Sequence, residues 1–344
     1  MRVMFFGEKA EKSAPSLSTA EVLRARGQEA IFEEPLTRNA LDWVRLLRSV
    51  DMAVCTFYGP GQRTVRRITT QCKLAAVLGT PLVRWWVGTD AWNALRDRDI
   101  LRHARALDHY VCANVAVSPN IRDELAQLGI VSRVIVRPLP YLPQDIDTHW
   151  DMARARSILV YLPADRPELY GAQILDALIP ARQDLTFYLV ADDGARYRDA
   201  GNVVSLGWLE DMEEAYRRTG CLLRIREHDG LSRMVREALA RGLYVIWSEP
   251  LETCILARTY GEVDAALSTV ADKAMLHHEG IELSRRMHQP QLFMEQFTAL
   301  VEEVSTRQWT RAAAAMASLV LGLSRGWLRV LPELSRKGSS KEDI

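Results

Sequence analysis

No stretch of the chain reaches the roughly 18 apolar residues needed to cross a bilayer as a helix. The apolar start, MRVMFFGEK, is too short for a secretory leader and reads as the first strand of a fold. Excess charge is lacking as well: Lys+Arg and Asp+Glu each number 44, a formal net charge of zero. That balance argues against a global electrostatic footprint for nucleic acid, so any charged partner is met locally. Cysteine is sparse. Cys55, Cys72, Cys112, Cys221 and Cys254 form an odd, scattered set with no C-x-x-C pair. They argue against a disulfide or zinc framework and for buried free thiols in a reducing cytosol. A cytoplasmic location is expected, peripheral at most to an inner membrane surface.

What is present is alternation. At 344 residues the chain exceeds the ~100–200 typical of one domain. Strand-like runs (RVMFF, AIFEE, DMAVCTF, PLVRWWV) alternate with helical patterns through the first half. Strands apolar on both faces imply a parallel sheet covered by helices. The pattern breaks at PLPYLPQDIDTHWDMARARS, a proline-rich linker near 139–157, and restarts at ILVYLP. The expected architecture is two Rossmann-like α/β/α domains, 1–145 and 156–305, facing a cleft, followed by a helical segment over 306–344 with a disordered end. The tail pattern TRAAAAMASLVLGLSRGWLRVLPEL is apolar on one side and basic at Arg311, Arg325 and Arg329. It either packs back on the first domain or makes weak contact with a membrane surface.

In open α/β sheets ligands bind beyond the carboxyl ends of strands. The richest such loop follows CLLRIR, in REHDGLSRMVREALARG, residues 226–242. Asp229 suits a helix N-cap there, which would turn the N–H groups of Gly230, Leu231 and Ser232 outward as an anion site beside His228. Gly230 admits close approach to the backbone. Glu237 lies eight residues on, ~12 Å along a helix axis. Taken singly, Asp229 reads as a cap and Glu237 as a solvated helix residue. Arg224 and Arg226 end the preceding strand on one face, and the combination fits a nucleotide sugar: carboxylates for diols, guanidinium and amide N–H groups for the diphosphate.

Residues 202–248, NVVSLGWLEDMEEAYRRTGCLLRIREHDGLSRMVREALARGLYVIWS, resemble the C-terminal half of retaining glycosyltransferases of the GT-B fold, group 1 or family 4. Their motif, an acid, seven residues and a glutamate, is matched by Asp229 and Glu237. More loosely, VRWWVGTDAW (83–92) is similar to the family's HGxD-like segment, and ANVAVSPNIRDELAQLGI to a further strand and helix. The resemblance implies a metal-independent, hexosyltransferase-like enzyme with no cofactor beyond its nucleotide diphosphate sugar. It would transfer the sugar to a glycan, lipid-linked or other acceptor. Asp229 and Asp90 would be catalytic. Glu237 would hold the ribose. Gly230, Leu231, Ser232, His228, Arg166, Arg224 and Arg226 would serve the rest of the donor, and Gly7, Gly88 and Trp86 the acceptor. The chain departs from the family in two places. Tyr170 stands where a lysine usually precedes the glycine of the loop YLPADRPELYG, and Trp86 or Val87 replaces the histidine of HGxD. Arg224 and Arg226 are then expected to compensate. A sugar-nucleotide epimerase and a non-catalytic partner subunit share the same plan.

Weaker signals remain. YGPGQRT (58–64) lacks the third glycine of a dinucleotide fingerprint and reads as a tight turn; Arg63, Arg66 and Arg67 read as a solvated helix face. DRD (97–99) and DID (145–147) close no apolar strand, so no metal site is read from them. Trp85, Trp86 and Trp92 serve either as core or as sugar platforms, with at least one in the core. His277 and His278 read as a surface pair.

Overall fold

The computed structural model describes residues 1–7, 15–34, 38–56, 62–139, 142–143 and 145–323, with the side chains of 62–67 and 307–323 outside that description. YGPG of the glycine-containing turn, the side chains of Gln62, Arg63, Arg66, Arg67 and Arg311, and the tail beyond Leu323 therefore lie outside the described residues. Among those described, no helix is long and apolar enough to cross a membrane. The chain divides into two units, 1–86 with 93–135 and 294–344, and 87–92 with 136–293.

In the first unit the elements are β1 (Arg2–Phe6), α1 (Pro15–Arg24), β2 (Glu29–Glu33), α2 (Ala40–Leu47), β3 (Met52–Thr56), α3 (Gln62–Leu78), β4 (Leu82–Trp86), α4 (Thr89–Arg96), α5 (Arg98–Asp108), β5 (Ala113–Ala116), α6 (Pro119–Gln127) and β6 (Arg133–Val134). The strands run parallel in the order β2-β1-β3-β4-β5-β6. Every residue of β3 and β4 is buried, as expected of strands covered on both faces. Helix starts follow local chemistry: Asn39, Asp97 and Ser118 accept backbone N–H groups at the starts of α2, α5 and α6, and Pro119 occupies the first turn of α6. Met4, Phe6, Trp43, Leu47, Cys55, Ile68 and Cys72 pack into one core.

The second unit holds α7 (Met152–Ala155), β7 (Ser157–Tyr161), a 3₁₀ turn (Pro167–Tyr170), α8 (Ala172–Ala181), β8 (Thr186–Val190), β9 (Val203–Gly207), α9 (Glu213–Arg218), β10 (Cys221–Arg224), α10 (Arg233–Ala240), β11 (Tyr244–Trp247), β12 (Ile255–Leu256), α11 (Tyr260–Ala271) and α12 (His278–Met287). All strands are parallel, ordered β12-β11-β10-β7-β8-β9. Helices cover two apolar faces. Leu175, Leu178, Phe187, Val263 and Leu267 pack into one core, and Leu159, Tyr216, Val235, Leu239 and Trp247 into the other. The proline-rich linker is not irregular throughout. Asp151 caps α7, and the Trp150 indole N–H donates to the Lys273 carbonyl at 2.9 Å. His277, read from the sequence as a surface residue, is buried and stacked on Tyr244 at 4.6 Å, because the turn into α12 folds it against β11. A final helix, α13 (Pro290–Leu323), leaves this unit, and from Met294 onward it belongs to the first. There Phe297 stacks on Trp85, and Glu303 pairs with Arg133 at 2.6 Å.

Candidate functional site

The carboxyl edge of the second sheet gathers the loops after β7, β8, β10 and β11. Alternation along the end of β10 places Arg224 and Arg226 on one side, and both guanidinium groups converge on Asp229. Arg224 Nε donates to Asp229 Oδ2 at 2.5 Å, and Arg226 Nη1 lies 3.5 Å from Oδ1. Both guanidiniums also lie over the ring of Tyr170, at 5.8 and 4.9 Å. Burial disfavours the charged carboxylate, but Arg224, then Arg226 and the Gly230 N–H, outweigh it and hold the Asp229 carboxyl below its usual range. For Arg224 burial likewise opposes the charge, and Asp229 overcomes it. Arg226, less buried and further from Asp229, keeps more of its five donors for another anion.

Asp229 is not the helix cap. Ser232 is: its hydroxyl accepts the Val235 N–H at 3.3 Å, and α10 begins at Arg233. Asp229 is drawn away by the two arginines, a stronger attraction for a carboxylate than a backbone N–H. Only the last turns between Asp229 and Glu237 are helical, so the ~12 Å axial spacing expected for a continuous helix does not apply. Glu237 is not an ordinary solvated residue either. It is 13% exposed and accepts from Arg233 Nε at 2.6 Å and from the Tyr216 hydroxyl at 3.0 Å. Burial, and then the Glu237 charge, raise the Tyr216 phenol well above its usual range.

The segment 87–92 joins this loop within the second unit. Gly88 has φ +131°, and its backbone abuts Gly230 so closely that a Cβ on Gly230 would stand 2.3 Å from the Val87 carbonyl oxygen. Asp90 is buried, and its Oδ1 accepts the N–H groups of Val87, Gly88 and Ala91 at 3.0–3.1 Å, which fixes the turn. Trp92 stacks on His228 at 5.8 Å with 14° between the planes. Asp90, Gly88, His228, Asp229 and Gly230 are thus brought together. Leu231 is half-buried beside them in sequence.

Other expected residues fall elsewhere. Trp86 is 0% exposed, its indole donates to Asn114 Oδ1 at 3.0 Å, and Arg84 covers its ring at 3.5 Å, so it cannot touch an acceptor. Trp85 is also core, and Trp92 alone of the three is half-buried. Gly7 ends β1 with φ +112°, where a Cβ would lie 1.8 Å from the Thr56 carbonyl oxygen; close strand contact explains the glycine. Arg166 is exposed at the start of the 3₁₀ turn, 3.8 Å from Asp165. Asp97 caps α5, Asp99 pairs with Arg102, and Asp147 lies 3.6 Å from Arg154. Among the described residues, no group of three or more His, Cys, Asp or Glu is placed to hold a metal ion.

Sequence reasoning missed Tyr216, Tyr170 and Glu249. Tyr170 surfaced only as the occupant of a lysine position. Glu249 Oε1 faces the Asp229 N–H at 3.4 Å, and burial raises its carboxyl above the usual range. Its signal was its place just after a strand in the same sheet.

No protein-family model and no curated protein sequence matches the chain. Solved structures do. HepE of Anabaena, in complex with UDP-glucose, matches with a TM-score of 0.65 at 13% identity, over 88% of this chain and 99% of that one. Sucrose-phosphate synthase of Thermosynechococcus elongatus gives 0.61 at 13% identity, over 89% and 100%. A glycosyltransferase from Rickettsia africae ESF-5 gives 0.58 at 13% identity, over 88% and 98%. The fold is the two-domain α/β GT-B fold.

Proposed function

We propose that the chain is a glycosyltransferase that moves a sugar from a nucleotide diphosphate sugar to a glycan or lipid-linked acceptor, with retention at the anomeric carbon and without a metal. The observation that carries this reading is the convergence of Arg224, Arg226 and Asp229 at the end of β10, against the abutting Gly230 and Gly88. The fold shared with HepE, seen with UDP-glucose, makes UDP-glucose the first donor to test.

The chemistry asks for stabilisation of a departing diphosphate while the sugar carbon becomes oxocarbenium-like. Preorganised cations serve that charge better than water, since they need no reorganisation during the step. In this reading Arg226 takes most of the diphosphate, with Arg224 and Arg166 assisting in place of the missing lysine. Gly230 admits the donor to the backbone, Asp229 and Asp90 order the turns around the hexose, and Glu237 accepts the ribose diol. The bond from the anomeric carbon to the diphosphate oxygen breaks with its electron pair going to the diphosphate, and the acceptor oxygen bonds to the same face as its proton passes to that departing diphosphate oxygen.

Calorimetric titration of UDP, GDP, ADP and CMP and their sugars, with and without EDTA, tests this, together with NMR of the product anomer. One nucleotide sugar is expected to bind equally in chelator and to give a retained linkage. Loss of all affinity in EDTA would sink metal independence, and an inverted product would sink retention. Arg226→Gln should weaken the nucleoside diphosphate far more than the nucleoside; equal effects would remove the phosphate contact. Liposome flotation at low and high salt tests the membrane-surface reading of the tail, for which weak, salt-sensitive binding is expected.

A further inference from the structure

Asp229 accepts from Arg224 Nε at 2.5 Å, while Arg226 Nη1 stands 3.5 Å from its other oxygen. The second distance exceeds the ~2.7–2.9 Å of a charge-assisted hydrogen bond, so Asp229 alone does not fix the Arg226 guanidinium. A planar cation held through one atom still pivots about its stem. The two guanidiniums also carry the same charge, which drives them apart.

Tyr170 supplies a second restraint on both. Its ring lies 4.9 Å from Arg226 Cζ and 5.8 Å from Arg224 Cζ, with each guanidinium over the ring. The face of an aromatic ring is the negative side of its quadrupole, and its attraction for a cation is stronger where water is kept away. Tyr170 is 7% exposed, and the side chains of Arg224 and Arg226 are 10% and 22% exposed. The ring itself is held. Tyr161 meets it edge-on at 5.1 Å, and it shares a core with Leu162, Leu223 and Ile225. The turn that carries it is wedged against the end of β10. Gly171, with φ +76°, lies so close that a Cβ on it would stand 2.8 Å from the Ile225 Cβ, between the two arginines in sequence.

We propose that Tyr170 is a positioning residue for the diphosphate, its ring holding Arg224 and Arg226 in place before a ligand arrives. Arginine gives up rotamer freedom when it binds an anion, and a guanidinium already held gives up less. The ring does this, and the hydroxyl is dispensable. That role takes its ligand from the nucleotide-sugar reading of the site, while the hold of the ring on the two guanidiniums stands without it.

The test is calorimetric titration of the full chain with whichever of UDP, GDP and ADP binds the wild type, and with the matching nucleoside. Tyr170→Leu should weaken the nucleoside diphosphate about tenfold, because two cation–π contacts are lost, and leave the nucleoside unchanged. Tyr170→Phe, which keeps the ring, should restore the affinity. Phenylalanines bearing successively more ring fluorines at position 170 keep the shape but drain negative charge from the ring face, so affinity should fall step by step along that series. A Tyr170→Leu protein that binds the diphosphate like the wild type, or a fluorine series without trend, overturns the role. Should Tyr170→Leu fail to fold, the fluorine series decides alone. If the wild type binds none of the three diphosphates, the donor reading falls, and the hold of the ring is judged without ligand. Tyr170→Leu and Arg226→Gln should then be non-additive by about threefold in the unfolding equilibrium constant, and strictly additive effects overturn the hold.

Discussion

Asp229 sits between two guanidiniums, and its depressed folded pKa makes its contribution pH-dependent. Relative to an unfolded value near ~3.9, that contribution is present above about pH 4 and is lost as pH falls through the folded value. Acid unfolding of the wild type should therefore show a loss as pH falls below about 4 that Asp229→Asn lacks. The variant should be about 3–5 kcal/mol less stable at neutral pH, because Arg224 is left buried without its partner. A parallel acid dependence in the two proteins would show that Asp229 is not the titrating group. Glu237 tests the ribose assignment. A charged hydrogen bond contributes ~1.5–3 kcal/mol, so Glu237→Gln should bind donor roughly ten- to hundred-fold more weakly. It should also lose about 1 kcal/mol of stability, because the ion pair with Arg233 and the bond from Tyr216 are both disturbed. Tyr216→Phe, which loses the same buried bond, should cost similar stability and leave donor affinity nearly unchanged. If both variants affect the donor alike, Glu237 acts through packing and not through the ribose.

At the scale of elements, the start of α10 and the turn at 87–92 act as one piece. Gly230→Ala places a Cβ 2.3 Å from a backbone oxygen that cannot swing aside, so one of the two turns must move. A loss of about 1–3 kcal/mol is expected, with weakened donor binding. Gly27→Ala is the comparator. Gly27 has φ +74° with nothing within 4 Å, so only the left-handed conformation, about 1–2 kcal/mol, opposes a side chain. If Gly27→Ala matches Gly230→Ala in stability and in donor affinity, the close approach has no consequence. Ser232→Ala should cost about 1 kcal/mol through the lost cap.

For the whole molecule, the helix α13 ties the chain's end to its beginning. Phe297 is fully buried and stacked on Trp85, so the core around β4 is completed by residues more than two hundred positions later. Phe297→Ala should destabilise the first unit by about 3–5 kcal/mol, read as an earlier thermal transition. Chemical denaturation followed by nucleotide binding should show whether the second unit, which carries Arg224, Asp229 and Glu237, survives that transition. A two-step curve with binding retained in the first step is expected.

The sequence by itself determined the parallel sheets, through strands apolar on both faces, and singled out the loop after CLLRIR, where acid and base crowd together. Period-two alternation was enough to put Arg224 and Arg226 on one side. Tertiary structure alone decided how the carboxylates are used. A local rule makes Asp229 a cap, but two arginines reach it first and Ser232 takes the helix. Likewise, a composition that makes Trp86 a plausible sugar platform says nothing of how Asn114, from the neighbouring strand β5, and Arg84, two places earlier on β4, seal it in the core. Partners such as Tyr216 for Glu237, or Gly88 for Gly230, lie 21 and 142 residues away in sequence. Such distances leave no mark in local pattern, because charge pairing and backbone approach depend on where strands stack rather than on which residues are adjacent.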